Sequence, residues 1–276
     1  MDELLDIARV AGYLGVSERT VYNKVRSGDL PAVKVGRLWR VRESALEDWL
    51  ASGGRGRPCV PRVAVDDPGV PGPYPYESLF EPLPVAAEAP PLPTRAGLER
   101  LLAPLVDPLE RRLAFVGLLT RAVEGLGWPA PIVVGGHAVE YYTAGDYPTV
   151  DIDLAGANEP IAQTLAEWGF EREGRHWFDD ALRLLVEVPG FRPDSRALAH
   201  VTGVRIGGVT AYVLGPEDLI IDRLCAAKHW RDAESFLWAR ALVAVTDELD
   251  RDYLASRAVE EDVADALADL LSGEEL

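Results

Sequence analysis

Two aspartates, Asp151 and Asp153, stand one residue apart in the sequence TVDIDL at 149–154. Successive side chains of a β-strand point to opposite faces, so a strand here directs both carboxylates to one side and Val150 to the other, apolar side. Two carboxylates held that close are costly unless a cation joins them, and Mg²⁺ uses one or two carboxylates together with substrate phosphates. The spacing therefore predicts a magnesium site on this strand.

A third carboxylate, Glu187, interrupts the otherwise apolar strand sequence LLVEV at 184–188. An ionised group buried in such a strand is costly without a partner, and a metal ion would supply one. An exposed strand position or a salt bridge to Arg183 explains the same pattern. Asp179 and Asp180, which precede the strand, are the alternative acids.

A glycine pair, Gly135-Gly136, follows the apolar run at 132–134, which has the length and β-branched composition of a strand. The next residues, 137–143, are predicted to form a short helix. Glycine allows backbone conformations closed to other residues, and a helix N-terminus presents free N–H groups and a dipole that favours an anion. The segment therefore predicts a phosphate-binding turn.

Taken in order, these two features resemble the nucleotidyltransferase superfamily of DNA polymerase β, whose pattern is Gly-[Gly/Ser], a spacer and then Asp-x-[Asp/Glu]. The resemblance covers roughly residues 110–245. It implies transfer of a nucleoside monophosphate from an NTP to an acceptor hydroxyl, with two Mg²⁺ ions as cofactor. The implied catalytic residues and metal ligands are Asp151, Asp153 and Glu187. The implied nucleotide contacts are Gly135, Gly136 and His137, the last standing where the superfamily often has Ser or Thr.

The helix predicted at 216–230 and the dipeptide Arg231-Asp232 resemble AbiEii-like toxin nucleotidyltransferases, in which a Lys-Leu and then an Arg-Asp recur. Arg223 stands in the place of that lysine, and Lys228 follows on the same helix. A cation facing a triphosphate would neutralise charge on the leaving pyrophosphate, which makes both residues candidate nucleotide contacts. Surface ion pairs explain these cations equally well; the acids considered as partners are Glu217, Asp222 and Asp232. The resemblance leaves the acceptor open among RNA, protein and a small molecule, and leaves an antitoxin or a homodimer as possible partners.

The first 52 residues alternate helix and strand signals. The predicted elements are helices at 7–14, 18–27 and 44–50 and strands at 32–35 and 38–41. Asp6 is predicted to cap the first helix, and Val21 and Val25 are predicted to face inward from the second. The predicted core contribution of the last helix is Leu46, Trp49 and Leu50.

This N-terminal segment resembles the excisionase and MerR-type winged helix-turn-helix, with VSERTVY at the start of the recognition helix and VGRLWR in the wing. The resemblance covers residues 3–51 and implies a duplex DNA partner. The implied base contacts are Ser17, Arg19, Thr20, Tyr22 and Asn23, and the implied phosphate contacts are Lys24, Arg26, Lys34, Arg37 and Arg40. A protein-interaction module with a basic, solvated helix is the alternative.

The predicted fold class is α+β in three parts. Residues 1–52 form the winged helix-turn-helix domain, and residues 53–95 form a linker rich in proline and glycine. Residues 96–276 form a mixed sheet of nucleotidyltransferase type with helices and a helical C-terminal part. The sequence at 74–83 is too apolar for linker alone, so part of it is expected to lie along the second domain.

Charge divides the chain unevenly. The net charge is −17, with +3 on residues 1–62 and −20 on the remainder, so only the N-terminal part suits a nucleic-acid partner. Cys59 and Cys225 form no Cys-x-x-C pattern, which argues against a disulfide framework or a zinc site. No apolar stretch approaches the roughly 18 residues that span a bilayer, and a cytoplasmic location without membrane contact is expected.

A second function fits the same sequence. A transcriptional or recombination regulator could pair a DNA-binding domain with a C-terminal domain that binds nucleotide without turning it over. The intact Asp-x-Asp favours the enzyme, whereas His137 and Arg223 depart from the patterns of the related enzymes and favour the regulator.

Overall fold

A computed structural model describes residues 4–14, 21, 24–25, 30, 32–35, 38–51, 74–83, 92–147, 149–246 and 248–272. The chain separates into two compact units, Met1–Ala64 and Val65–Leu276. The predicted α+β character holds in both units, because each combines helices with a sheet.

The N-terminal unit is built around a small antiparallel sheet. Its described elements are β1 (Leu4–Leu5), α1 (Ile7–Leu14), β2 (Val33–Val35), β3 (Leu38–Arg42) and α2 (Glu43–Ala51). The strand order in this sheet is β1-β3-β2. The Arg9 N–H donates to Asp6 Oδ1 at 2.8 Å, so Asp6 caps α1 as predicted. Strand β1 was not expected, since two residues carry no readable alternation.

The core of this unit confirms most of the predicted inward positions. The buried apolar residues are Leu5, Val10, Ala11, Val21, Val25, Leu30, Val41, Leu46 and Trp49. Leu50 is 37% exposed, which corrects its predicted place in the core. Leu46 and the large indole of Trp49 already fill the inward face of α2, which leaves the next position toward solvent.

The second unit alternates strands and helices and ends in helices. Its elements before the glycine pair are α3 (Arg95–Leu102), α4 (Pro108–Gly125) and β4 (Ile132–Val134). The central elements are α5 (Gly135–Tyr142), β5 (Ile152–Ala155), α6 (Asn158–Glu167), β6 (Glu171–Glu173), β7 (His176–Asp179) and β8 (Leu184–Glu187). The remaining ones are α7 (Ser195–Ala199), β9 (Thr202–Ile206), β10 (Val209–Val213), α8 (Pro216–Trp230), α9 (Ala233–Val245), α10 (Arg251–Glu260) and α11 (Ala264–Ser272).

Seven of these strands form one mixed sheet in the order β6-β7-β8-β5-β4-β10-β9. Strand β5 is antiparallel to β4 and parallel to β8, so it lies between the glycine turn and the third acidic strand. Two β-segments at 201–206 and 209–214, separated by Gly207-Gly208, predict a hairpin, and β9 and β10 form it. Gly207 and Gly208 have positive φ angles of 56° and 78°, as a two-residue turn of this kind requires. Strand β7 was not predicted.

Helices cover the sheet and fix its central strands. α4 packs on β9 and β10, and it approaches closely at Gly117, where a Cβ would lie 2.5 Å from a Val209 methyl. α8 packs against α5, α9 and α10. Among the helices in the described ranges, none has both the length and the apolar character needed to cross a bilayer.

The segment at 74–83 packs on the second unit and is not free linker. The Tyr74 hydroxyl donates to the Ala130 carbonyl at 2.6 Å, and the Tyr76 hydroxyl donates to Glu124 at 2.6 Å. Leu79 is fully buried. The predicted linker, with its boundary near residue 95, therefore includes a stretch that belongs to the second unit.

We expect Tyr74→Phe to lower the free energy of unfolding of the second unit by about 1–2 kcal/mol, because it leaves the buried Ala130 carbonyl without its donor. Tyr13→Phe is the matched control, since Tyr13 is exposed on α1. Chemical denaturation of the full chain measures the change. Equal stability of Tyr74→Phe and wild type would contradict the docked segment.

Candidate functional site

The structure brings together the three acids that the sequence pointed to. Residue pairing between β5 and β8 places Asp153 opposite Glu187, and Asp151 immediately precedes β5. One oxygen from each of Asp151, Asp153 and Glu187 lies within 4.8 Å of the others. Oxygen ligands at such separations suit a hard divalent cation. Because β5 begins only at Ile152, Val150 escapes the strand's alternation and is exposed, contrary to the prediction.

The glycine turn meets the acids through the backbone. α5 begins at Gly135, two residues earlier than predicted, and Gly135 has φ 57°. A Cβ at Gly135 would lie 2.4 Å from Asp153 Oδ2, so a side chain there would collide with the carboxylate. The Gly136 N–H hydrogen-bonds to Asp153. The first N–H groups of α5 therefore face the acidic cluster, and one of them is already used by Asp153.

The pKa of Asp153 is raised by its position in the cluster. Burial raises the pKa of Asp153 from 3.8 to about 6, and the negative charges of Asp151 and Glu187 act in the same direction. The Gly136 N–H and the charge of Arg223 oppose this rise. A divalent cation at this point would relieve the repulsion among the carboxylates.

Neighbours of the cluster include residues that sequence reasoning missed. The Thr149 hydroxyl donates to Asp151 Oδ1 at 3.0 Å and orients that carboxylate. The ring of Tyr147 lies against Gly136 and makes an edge contact with Trp238 at 4.8 Å between centroids. Thr149 could have been found from its position two residues before Asp151, since hydroxyl residues often bond to local groups. Tyr147 and Trp238 lie 91 positions apart by their numbers, so no local pattern joins them.

Glu187 is buried, and it forms an ion pair with Arg175 instead of Arg183, the partner that the sequence suggested. Arg175 Nε lies 3.0 Å from Glu187 Oε1, and His176 Nδ1 lies 3.5 Å from Oε2. Arg183 occupies the turn before β8, where its N–H bonds to the Asp180 carbonyl. The partner differs from the expected one because the hairpin of β6 and β7 brings Arg175 alongside β8.

Of the two alternative acids, Asp179 has a structural role and Asp180 is exposed. Asp179 accepts from the Leu182 N–H at 2.8 Å and pairs with Arg95. Burial alone would raise the pKa of Asp179, but the Arg95 hydrogen bond and the turn amides outweigh it and lower the pKa. Asp180 is exposed. Asp179 therefore stabilises the turn before β8.

Arg223 both pairs with Asp222 and lies near Asp153, so it combines the ion pair and the nearness to the acids that the sequence left as alternatives. Its guanidinium binds Asp222 through Nε at 3.0 Å and Nη2 at 2.5 Å, as in the ion-pair alternative. It also hydrogen-bonds to Tyr147, and its charge reaches Asp153. The side chain is only 17% exposed. Arg223 is thus a nearly buried cation on the glycine side of the acids.

The side chain of Lys228 contacts residues at the C-terminal helices. Its ammonium donates to the Asp262 carbonyl at 2.5 Å and to Asp265 at 3.0 Å. Asp262 lies in the turn after α10 and Asp265 lies in the first turn of α11, and both differ from the acids that the sequence suggested. Lys228 therefore joins α8 to the C-terminal helices, which corrects its predicted place at the nucleotide.

The side chain of His137 does not reach a ligand surface, which corrects its predicted phosphate contact. It is fully buried, and its Nδ1 accepts from Arg112 Nε at 3.3 Å. Arg112 also forms a two-pronged ion pair with Glu140, at 2.6 and 2.5 Å. Burial lowers the pKa of His137. His137 and Glu140 therefore connect α5 to Arg112 of α4.

Most of the proposed DNA contacts lie outside the described residues. These are Ser17, Arg19, Thr20, Tyr22, Asn23, Arg26 and Arg37. Lys34 lies on β2 and Arg40 on β3, the two strands of the predicted wing. Lys24 holds its ammonium 5.6 Å from the centroid of the Trp49 ring. Lys24 is partly buried in the N-terminal unit.

We expect Asp153→Asn to stabilise the second unit at pH 8 by about 1–3 kcal/mol, because one pKa unit corresponds to about 1.4 kcal/mol. The folded pKa of Asp153 lies above its ordinary value of 3.8, so its ionisation opposes folding above about pH 6. The destabilisation that comes from ionised Asp153 decreases as the pH falls from about 6 and is absent below 3.8. The gain should therefore vanish at pH 3.5.

Thermal unfolding with EDTA over that pH range measures the difference from wild type. Asp180→Asn removes an exposed acid and should show no such pH-dependent gain. A constant difference between Asp153→Asn and wild type at all pH values would contradict the raised pKa.

Comparison with known proteins concerns the N-terminal unit. Residues 4–54 match the family described as "Helix-turn-helix domain". Two proteins of Mycobacterium tuberculosis, named "Putative DNA-binding protein MT0521" (strain CDC 1551 / Oshkosh) and "Putative DNA-binding protein Rv0500A" (strain H37Rv), are each 50% identical over 48 residues. The match spans 17% of this chain and 62% of each relative. No solved structure matches the chain. The predicted N-terminal helix-turn-helix domain is therefore confirmed.

Proposed function

We propose that the second unit is a magnesium-dependent nucleotidyltransferase, which moves a nucleoside monophosphate from an NTP to an acceptor hydroxyl, and that the first unit binds duplex DNA. The observation that carries the enzymatic proposal is the trio of Asp151, Asp153 and Glu187, with oxygens within 4.8 Å of one another beside the first turn of α5. The chemistry of the donor set fits Mg²⁺, which favours carboxylate oxygens.

The three carboxylates would hold the metal, which supplies Lewis-acid stabilisation of phosphoryl charge when bound. In the proposed reaction the acceptor oxygen forms a bond to the α-phosphorus, the bond to the pyrophosphate oxygen breaks, and the acceptor proton passes to Glu187. Thr149 keeps Asp151 oriented, and Gly135 keeps Asp153 free of steric conflict.

Arg223 would act on the leaving group. It lies near Asp153 and Tyr147, with little exposure to water, so its charge is weakly screened. The dipole of α5 adds positive potential at the same side. Together they would stabilise the charge that develops on pyrophosphate as its bond breaks.

Incubation of the full chain with each α-labelled NTP, Mg²⁺ and either total RNA or cell lysate tests the proposal. Label should appear on an acceptor, and the Asp151→Asn, Asp153→Asn double variant should lose at least about a hundredfold of that transfer, as expected when stabilising groups are removed from a transition state. A control double variant, Glu173→Gln with Asp180→Asn, removes two exposed acids of the same unit.

Circular dichroism should show both double variants folded. Full transfer by the Asp151→Asn, Asp153→Asn variant would place the chemistry elsewhere.

A second candidate function follows from the helix-turn-helix match and from relatives whose names describe DNA binding. In it, the chain regulates transcription or recombination and the second unit binds nucleotide without turnover. Tight, Mg²⁺-dependent NTP binding with no label transfer to RNA or lysate would favour this function over the enzyme.

We expect Arg37→Ala to weaken duplex DNA binding alike on all sequences and to lower the slope of log K against log salt by about one, because a phosphate contact is lost. Arg37 is assigned from sequence and lies outside the described residues. Arg251→Ala, which removes one charge from the second unit, is the control. Fluorescence anisotropy over a salt series measures both. An unchanged slope would remove Arg37 from the DNA interface.

A further inference from the structure

The β6–β7 hairpin delivers an arginine to the third acid of the cluster. Its two-residue turn is Gly174-Arg175, and Gly174 has φ 61°, the positive angle that glycine supplies in tight hairpins. Residue pairing then sets His176 opposite Glu187 across β7 and β8. The turn therefore holds Arg175 at the end of β8, next to Glu187.

The two partners of this ion pair differ sharply in freedom. Glu187 is 9% exposed and fixed on a central strand, whereas Arg175 is 70% exposed at the tip of an edge hairpin. Arg175 Nε contacts Glu187 Oε1 at 3.0 Å. An exposed guanidinium on a flexible stem loses little when it leaves such a pair, because water replaces the contact. The carboxylate cannot move away, but the arginine can.

The same carboxylate is needed for a cation. A divalent ion held by Asp151, Asp153 and Glu187 would draw on at least one Glu187 oxygen. Oε1 already contacts Arg175, and Oε2 lies 3.5 Å from His176 Nδ1, an atom with no hydrogen-bond partner in the described part of the chain. Two positive groups on one carboxylate repel each other, so metal binding and the Arg175 contact oppose each other.

The sheet order decides what a released Arg175 would meet. Gly135 lies on the β4 side of Asp153, and Glu187 lies on its β8 side. Arg223 and the N-terminus of α5 lie on the β4 side, where the triphosphate is proposed to bind. Arg175 lies on the other side, where the acceptor must approach Glu187 to give up its proton.

We propose that Arg175 is an exchangeable counterion of Glu187, which divalent metal displaces and which then binds a phosphate group of the acceptor. This rests on the proposed nucleotidyltransferase function and specifies a phosphate-bearing acceptor for it. The planar guanidinium suits phosphate, to which it donates two parallel hydrogen bonds. Arg175 is a binding residue in this scheme, and Glu187 remains the proton acceptor.

The first measurement is Mn²⁺ affinity of the full chain without substrate, by calorimetry or electron paramagnetic resonance. Arg175→Gln should bind Mn²⁺ roughly two- to fivefold more tightly than wild type, the range that corresponds to loss of an exposed competing ion pair. Arg172→Gln is the matched control for the turn, because Arg172 lies on the same hairpin, with its guanidinium 5.4 Å from the Trp177 ring and its Nε donating to the Gly174 carbonyl at 2.9 Å. It should leave the Mn²⁺ affinity unchanged.

The second measurement uses saturating Mn²⁺ and two phosphate probes, a non-hydrolysable NTP and a short RNA oligonucleotide. Arg175→Gln should weaken RNA binding by about tenfold, as expected for a lost charge-assisted contact, and leave NTP binding unchanged. Arg175→Lys should recover part of the RNA affinity, since it keeps the charge but not the planar fork. The opposite signs of the metal and RNA effects distinguish exchange from simple damage to the hairpin.

Several outcomes would overturn the proposal. Unchanged or weaker Mn²⁺ binding by Arg175→Gln rules out competition for Glu187. Weaker NTP binding with unchanged RNA binding places Arg175 on the triphosphate side. If wild type and the Asp151→Asn, Asp153→Asn variant bind Mn²⁺ equally poorly, the proposed function itself fails, a result separate from any effect of Arg175.

Discussion

The close approach of the Gly135 backbone to the Asp153 carboxylate sets the geometry of the second unit's candidate site. A Cβ at Gly135 would lie 2.4 Å from Asp153 Oδ2, so the turn must be glycine if β4 is to pass directly into α5 at this depth. The contact brings a helix N-terminus against a carboxylate, where backbone N–H groups favour negative charge. Asp151 and Glu187 join that carboxylate through the register of β5 and β8.

Keeping three acids together works against folding, as the raised pKa of Asp153 shows. The surrounding structure tolerates this because the acids sit at one end of strands whose other residues, such as Ile152 and Leu154, are fully buried. Arg112 of α4 holds α5 in place through its contacts with Glu140 and His137. Burial of the apolar strand residues therefore offsets the unfavourable free energy of holding the three carboxylates together.

Local patterns in the sequence predicted several of the helices and strands but not the contacts between their side chains. The run at 132–134, the Asp-x-Asp strand and the hairpin at Gly207-Gly208 follow from β-branched composition, alternation and turn residues. The salt bridge between Arg175 and Glu187 depends on β7, whose residues His176 to Asp179 show no clear alternation, so its hairpin was missed. Likewise nothing local marks the burial of His137, which depends on Arg112 from another helix.

Two arginines approach the acids from opposite sides, and their exposure separates their behaviour. Arg223 is 17% exposed and pairs with Asp222, so in a low dielectric its charge acts on Asp153 persistently. Arg175 is 70% exposed, and water screens it whether or not it contacts Glu187. The free energy that holds Arg175 in place is therefore small compared with what a divalent ion would gain from the same carboxylate in the proposed site. The proposed exchange of Arg175 at the sheet edge, and the lasting charge of Arg223 near the glycine turn, both rest on this difference in burial.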